Sequence, residues 1–184
     1  TLGKKGKVMS NIDIEIVIDT VSLLENIKSP SQDYKNPTGI DHTTYSYMIA
    51  QTAFVNSGQA TGDLSIKALV NDTIRWRSLS LSGNSGQSAV IYDMPRFAGD
   101  QVTSPVFAIE SQPYVPFPTL VNGYNTAPPT FTTVLGSDYF LQATVTAHGT
   151  EQYKVLFYVT AQDPATGKPV VKGYYSWDPT ITVA

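Results

Sequence analysis

The sequence predicts an all-β protein: an antiparallel β-sandwich of about eight strands, with one short helical segment near the N-terminus. Three observations carry that prediction. Apolar and polar residues alternate along several segments, the period of a half-buried strand. Thirteen Gly and twelve Pro are scattered along the chain, so turn signals recur between short segments. Segments that read as strands far outnumber those that read as helices, with no βαβ rhythm and no internal repeat.

The elements follow in order. In NIDIEIVID, residues 11–19, Ile12, Ile14, Ile16 and Ile18 face one way and Asp13, Glu15, Val17 and Asp19 the other. SLLENI, residues 22–27, carries Ser22 and Glu25 at capping-box spacing, which predicts one or two helical turns closed off by Pro30. A long polar loop, residues 29–44, leads into YSYMIAQ, residues 45–51, a strand by its Tyr and Ile content. GDLSIKALV (62–70) and DTIRWRSLSLS (72–82) are two more strands, parted by the turn residues Asn71 and Asp72. In the second of these, Ile74, Trp76 and Ser78 share one face, and Arg75, Arg77 and Leu79 the other. SAVIYDM (88–94) is a compact apolar strand after a Gly/Ser connection.

From Gly99 to Pro129 the chain reads as irregular and Pro-rich, with SPVFAIE (104–110) and YVPFP (114–118) as short extended pieces at an edge or in a loop. The last third is more regular. Residues 138–148 place Tyr139, Leu141, Ala143, Val145 and Ala147 on one face. Residues 152–161 do the same with Tyr153, Val155, Phe157, Val159 and Ala161. The turn QDPATGK (162–168) then leads into KPVVKGYYSW (168–177), and TITV (180–183) adds a short final strand.

At 184 residues the chain is long enough for one well-packed domain, expected over residues 10–184. Residues 1–9 are expected to be a flexible leader or an artificial extension, with Met9 a candidate natural start. They carry no apolar stretch of the kind a signal peptide needs. Charged residues make up only 15%, and the net charge of −3 argues against a nucleic-acid partner. No stretch approaches the ~20 apolar residues of a membrane helix, so no membrane partner is expected. The absence of cysteine excludes disulfides, thiolate catalysis and cysteine-based zinc sites.

No catalytic residue, cofactor or metal site is predicted. The two histidines, His42 and His148, stand at no recognised ligand spacing. SGNSGQS (82–88) lacks the lysine of a phosphate loop and precedes no helix. Arg75 and Arg77 point to the same side of their strand, about 7 Å apart. They are candidates for contact with an anion or a neighbouring molecule, or else for an ion-paired outer face behind a buried Trp76. Asn84, Asn122, Tyr124 and Asn125 are candidate ligand residues for a shallow carbohydrate site, since loop Asn and Gly with an aromatic platform suit sugar hydroxyls.

With the strands placed, a resemblance emerges. VIDTVSLL (17–24), NPTGIDHTTYSYMI (36–49), the run from Ser57 to Asn84, SAVIYDM, FAGDQVTSP (97–105) and KGYYSWDPTITV (172–183) stand in the order found in the AidA/PixA inclusion-body protein family. The chain resembles that family over residues 13–183, most specifically in GDLSIKALVNDTIRWR (62–77) and YYSWDP (174–179). The resemblance implies a bacterial, cytoplasmic protein linked to stationary phase or quorum sensing. Some members accumulate as crystalline inclusions, and no catalytic residues come with the family.

Three methionines, Met9, Met48 and Met94, are too few for a methionine store. They bring the resemblance closest to a methionine-poor, PixB-type crystalline inclusion protein. The expected function is therefore non-enzymatic self-assembly into cytoplasmic inclusions, for storage or host association. Low charge density suits this, because it weakens the repulsion between copies. The expected partner is a further copy of the chain. The alternative is a lectin-like module that binds glycans or a host surface.

Overall fold

The computed structural model describes residues 9–183, so the expected leader lies outside the described residues apart from Met9. β1 (Asn11–Ile18) follows its alternation, with Ile12, Ile14, Ile16 and Ile18 all buried. α1 (Thr20–Asn26) is the short N-terminal helix, but its cap is not at Ser22. Asp19 caps it, accepting from the Ser22 backbone N–H at 3.1 Å and the Ser22 hydroxyl at 2.7 Å. A carboxylate just ahead of the first turn reaches the unpaired donors there, so Ser22 becomes its partner inside the helix. The polar loop contains β2 (Thr38–Gly39) and α2 (His42–Tyr45), a single turn capped by Asp41, and ends at β3 (Ser46–Ala50).

A 3₁₀ turn (Thr52–Phe54) leads to β4 (Val55–Ser57), β5 (Ser65–Ile66), β6 (Thr73–Ser80), β7 (Gln87–Asp93) and β8 (Arg96–Gly99). The Pro-rich stretch holds β9 (Phe107–Ser111), β10 (Tyr114–Pro118), β11 (Leu120–Val121), β12 (Tyr124–Asn125) and β13 (Phe131–Leu135). β14 (Asp138–Thr144), β15 (Gly149–Tyr153), β16 (Val155–Gln162), β17 (Pro169–Trp177) and β18 (Thr180–Val183) complete the chain.

The protein is predominantly β-sheet, divided among several sheets. Its described residues form eighteen strands rather than about eight, because short ladders of two to five residues occupy stretches that read as loop. The largest sheet has the order β3-β1-β6-β14-β9, and a second has β2-β17-β16-β7. The pairing is not purely antiparallel. β1 runs parallel to β6 from Asn11↔Thr73 to Ile18↔Ser80, and β17 pairs parallel with β2. A parallel neighbour needs a connection long enough to return to the same end of the sheet, and α1, β3 and β5 lie along the connection between β1 and β6.

Residues 152–161, which read as one strand, are split between two sheets. β15 pairs with β18 and β8, whereas β16 pairs with β17 and β7. The break falls at Lys154, whose backbone N–H donates to Pro95 at 2.9 Å. The burial alternation runs straight through the break, since Tyr153, Val155, Phe157 and Val159 all enter one shared core; Ala161 is half-buried. Glu151 on β15 is buried too. Its carboxylate accepts from the Val102 and Thr103 N–H groups at 2.8 and 2.9 Å and from the Thr103 hydroxyl at 2.9 Å. Those bonds clamp the segment after β8 onto the core, which makes Glu151 a structural carboxylate.

Candidate functional site

The arginine strand comes first. β6 buries Ile74 and Trp76, so Arg75 and Arg77 emerge together on the opposite face. The parallel register puts Asp13 beside Arg75 and Glu15 beside Arg77. One Asp13 oxygen accepts from Arg75 at 2.9 Å and the other from Arg77 at 2.8 Å. Arg77 also grips Asp138 with two parallel bonds of 2.8 Å, and both guanidinium groups lie over the Phe140 ring, at 4.4 Å for Arg77 and 5.6 Å for Arg75. The donors of Arg77 are thus engaged by carboxylates, and an incoming anion would have to displace Asp13 or Asp138.

The carboxylates respond as their partners dictate. Burial pushes Asp13 up, but the hydrogen bonds and charges of Arg75 and Arg77 outweigh it and leave Asp13 below the usual range. The bonds from Arg77 hold Asp138 low as well. Burial raises Glu15, which receives no such bond.

A depressed carboxylate contributes stability that is fully present above its unfolded pKa, about 3.9. That stability is lost as pH falls through the folded value. Glu15 works in the opposite sense, so it offsets part of the acid loss. Asp13→Asn is expected to lower stability at pH 7 by about 1 kcal/mol and to flatten the loss below about pH 4. Urea unfolding at both pH values measures it; parallel curves for variant and parent would refute this assignment of the acid response.

The candidate loop residues stand on two different hairpins. Asn84 lies between β6 and β7 with φ 60°, and its Oδ1 accepts from the Ser80 and Ala89 N–H groups at 2.9 and 3.2 Å, so its side chain closes its own turn. Asn122, Tyr124 and Asn125 sit together elsewhere, at the tip of the β11–β12 hairpin. Val121 pairs with Tyr124 there, leaving Asn122 (φ 51°) and Gly123 (φ 81°) as the two turn residues. Asn-Gly between extended residues is a strong hairpin signal, one that the reading of residues 99–129 as irregular left unused. His42 pairs with Asp63 at 3.0 Å. Among the described residues no group of three or more His, Asp or Glu could hold a metal ion.

Two features escape a reading by alternation alone. On the face formed by β7, β16 and β17, the rings of Tyr92, Tyr158 and Tyr174 lie 6.0–6.3 Å apart, with Tyr34 at 6.4 Å from Tyr174. Burial, aided by Tyr174 and nearby carboxylates, pushes the Tyr92 hydroxyl up to about 12. The second feature is an arm. β10 pairs only with β13, and β11 only with β12, and no residue from 112 to 136 is buried. Its cross-strand pairs give it two apolar faces. Tyr114/Leu135 and Pro118/Phe131 lie on one face, Val115/Val134 and Phe117/Thr132 on the other.

The arm is a ladder despite its prolines, and the hydrogen bonds explain why. Thr119 N–H donates to Thr130 at 3.0 Å and Gly136 N–H to Pro113 at 2.9 Å. With the register, these bonds make the odd residues of β10 and the even residues of β13 the bonded partners. Pro116 and Pro118 therefore occupy positions whose missing N–H would have faced outward, so the ladder loses nothing. Phe131, Thr133 and Leu135 turn their backbone groups outward from the other edge.

The profile of the family described as "PixA: Inclusion body protein" matches residues 10–183. The chain belongs to this family. Among solved structures it is similar to an inclusion body protein of the PixA family from Burkholderia cenocepacia J2315, with 24% sequence identity and a TM-score of 0.78. That likeness covers 98% of this chain and 99% of the other, and it bears on the fold. A search of curated proteins returned no match. The family resemblance read from the sequence holds for PixA as a whole.

Proposed function

We propose that this PixA-family chain is a non-enzymatic protein that assembles with copies of itself into inclusions in the bacterial cytoplasm, of the methionine-poor, PixB-type crystalline kind. The arm carries the reading. Residues 112–137 contain no Asp, Glu, Lys, Arg or His, so all the charge of the chain lies elsewhere. Within this segment Tyr114 is 77% exposed, Phe117 54%, Tyr124 78% and Phe131 66%. With Val115, Leu120, Val121, Val134 and Leu135 they leave roughly 800 Å² of apolar surface in water, about one partner's share of a standard interface. Each face of the arm shows a few hundred Å² of it, a size at which exposed apolar patches often mark interaction sites.

The area is divided between two faces, so each contact is individually weak and must be repeated to hold. Assembly of that kind is sensitive to concentration, which suits a protein that collects in inclusions. Residues 10–184 make one domain, in which everything outside the arm serves as a β-sandwich body, its two larger sheets forming the layers. Arg75 and Arg77, tied to Asp13 and Asp138, brace that body at the root of the arm, since Asp138 follows it directly in sequence.

The test is X-ray powder diffraction from intact bacteria expressing the chain, with sedimentation of the purified protein over increasing concentration. Sharp rings and a threshold concentration are expected. Protein that stays dispersed throughout, with no rings, overturns the reading. The tyrosine face supports a second reading, a glycan-binding module, because a cluster of aromatic rings can receive the apolar face of a sugar. A glycan screen of the soluble protein without a binder removes it.

A further inference from the structure

We infer that the outer edge of β13 pairs antiparallel with the β13 edge of a second copy, joining two arms into a four-stranded sheet. This pairing rests on the assembly reading and names its first contact. The two edges of the arm are not alike. On β10, Pro116 and Pro118 remove two of the three outward N–H groups, which closes that edge to strand addition. On β13, Phe131, Thr133 and Leu135 present outward N–H and C=O groups with no neighbouring strand. The sequence of this edge, FTTVL, is β-branched or large apolar throughout, uncharged, free of proline, and exposed at every position.

The occupant follows from self-complementarity. A two-fold axis presents the same patch on both partners. Centred on Thr133, an antiparallel pairing sets Thr133 against Thr133 and Phe131 against the partner's Leu135. All of these residues carry outward backbone groups, so every pair can exchange two backbone bonds. Phe131 and Leu135 share a face with Tyr114 and Pro118, so the joined sheet gains a continuous apolar face. An isolated two-stranded hairpin is marginal in water, whereas four strands with an apolar face are not. A charged or foreign strand would lack this match along an edge without a single charge. The proline edges then lie outermost, so strand pairing stops at the dimer and further growth proceeds through the faces.

The test uses the full chain and two variants. Thr133→Pro removes the central outward donor without touching a bond within the arm, and Thr133→Lys places a charge on the edge. Ala165→Lys, in the exposed β16–β17 turn, is the control for added charge. Both Thr133 variants are expected to raise the threshold concentration for assembly at least about 10-fold, while the control stays near the parent. Sedimentation of the parent should show a dimer below that threshold, and hydrogen exchange should show the Phe131, Thr133 and Leu135 amides gaining protection in it. Folded Thr133 variants that assemble at the parent's threshold overturn the edge pairing and leave self-assembly standing. A parent that never assembles overturns self-assembly itself, and this contact with it.

Discussion

Trp177→Ala is expected to destabilise the monomer by about 4 kcal/mol, a large part of the roughly 5–15 kcal/mol by which a domain is stable. Trp177 is the last residue of β17 and is only 1% exposed. Its ring meets Phe157 edge-on at 5.6 Å, and Phe157 in turn stacks on Tyr175 at 5.4 Å. Its indole N–H donates to the Gly62 carbonyl at 3.1 Å. Gly62 lies so close to α2 that an added Cβ would meet the His42 Cβ and carbonyl oxygen at 2.6 Å. One side chain thus holds β16, β17, the 58–63 loop and α2 together. Alanine would leave a cavity and a buried carbonyl without its donor. In thermal unfolding the loss amounts to roughly 10 °C. Trp177→Phe restores most of the volume but not the donor, and is expected to cost about 1–2 kcal/mol. Urea unfolding of both variants measures the split, and a loss under about 1 kcal/mol for Trp177→Ala would contradict this packing.

Removing the arm is expected to do the reverse: abolish assembly and leave the monomer intact. β9 and β14 are already paired through Ser111↔Asp138, which brings Gln112 opposite Ser137. Replacing residues 113–136 with the dipeptide Asn-Gly therefore closes a standard two-residue hairpin. No side chain of the removed segment is buried, so the core keeps its contacts. The change in monomer stability should stay within about 0.5 kcal/mol, as for surface substitutions. The threshold for assembly should rise beyond the accessible concentration range. Sedimentation and thermal unfolding of the same preparation separate the two effects. An armless protein that assembles like the parent would place the self-contact on the body and remove the arm from the mechanism.

The arm also shows where sequence reading fails here. Its prolines place the extended piece YVPFP (114–118) at an edge or in a loop without deciding which, because a proline inside a ladder normally forfeits a bond. The hydrogen-bonding phase removes that penalty, since Pro116 and Pro118 fall on the outward side. Phase depends on register, and register is a property of two strands rather than one. The same holds at Lys154, where the alternation continues while the chain changes sheets. It holds again for β1 and β6, whose individual patterns are compatible with either direction of pairing.

By itself the sequence determined the β character of the chain, the burial of Ile12, Ile14, Ile16, Ile18, Trp76 and Phe157, the position of the first helix and the family. Each of these is encoded locally, in a period of two, a turn residue or a short motif. Tertiary structure alone decided the parallel pairing of β1 with β6, the capture of Arg75 and Arg77 by Asp13 and Asp138, and the open edge of β13. Those features join residues about 60 positions apart, or depend on which backbone groups find no partner. A one-dimensional pattern records which way a side chain faces, but only the assembled sheets settle what it meets there.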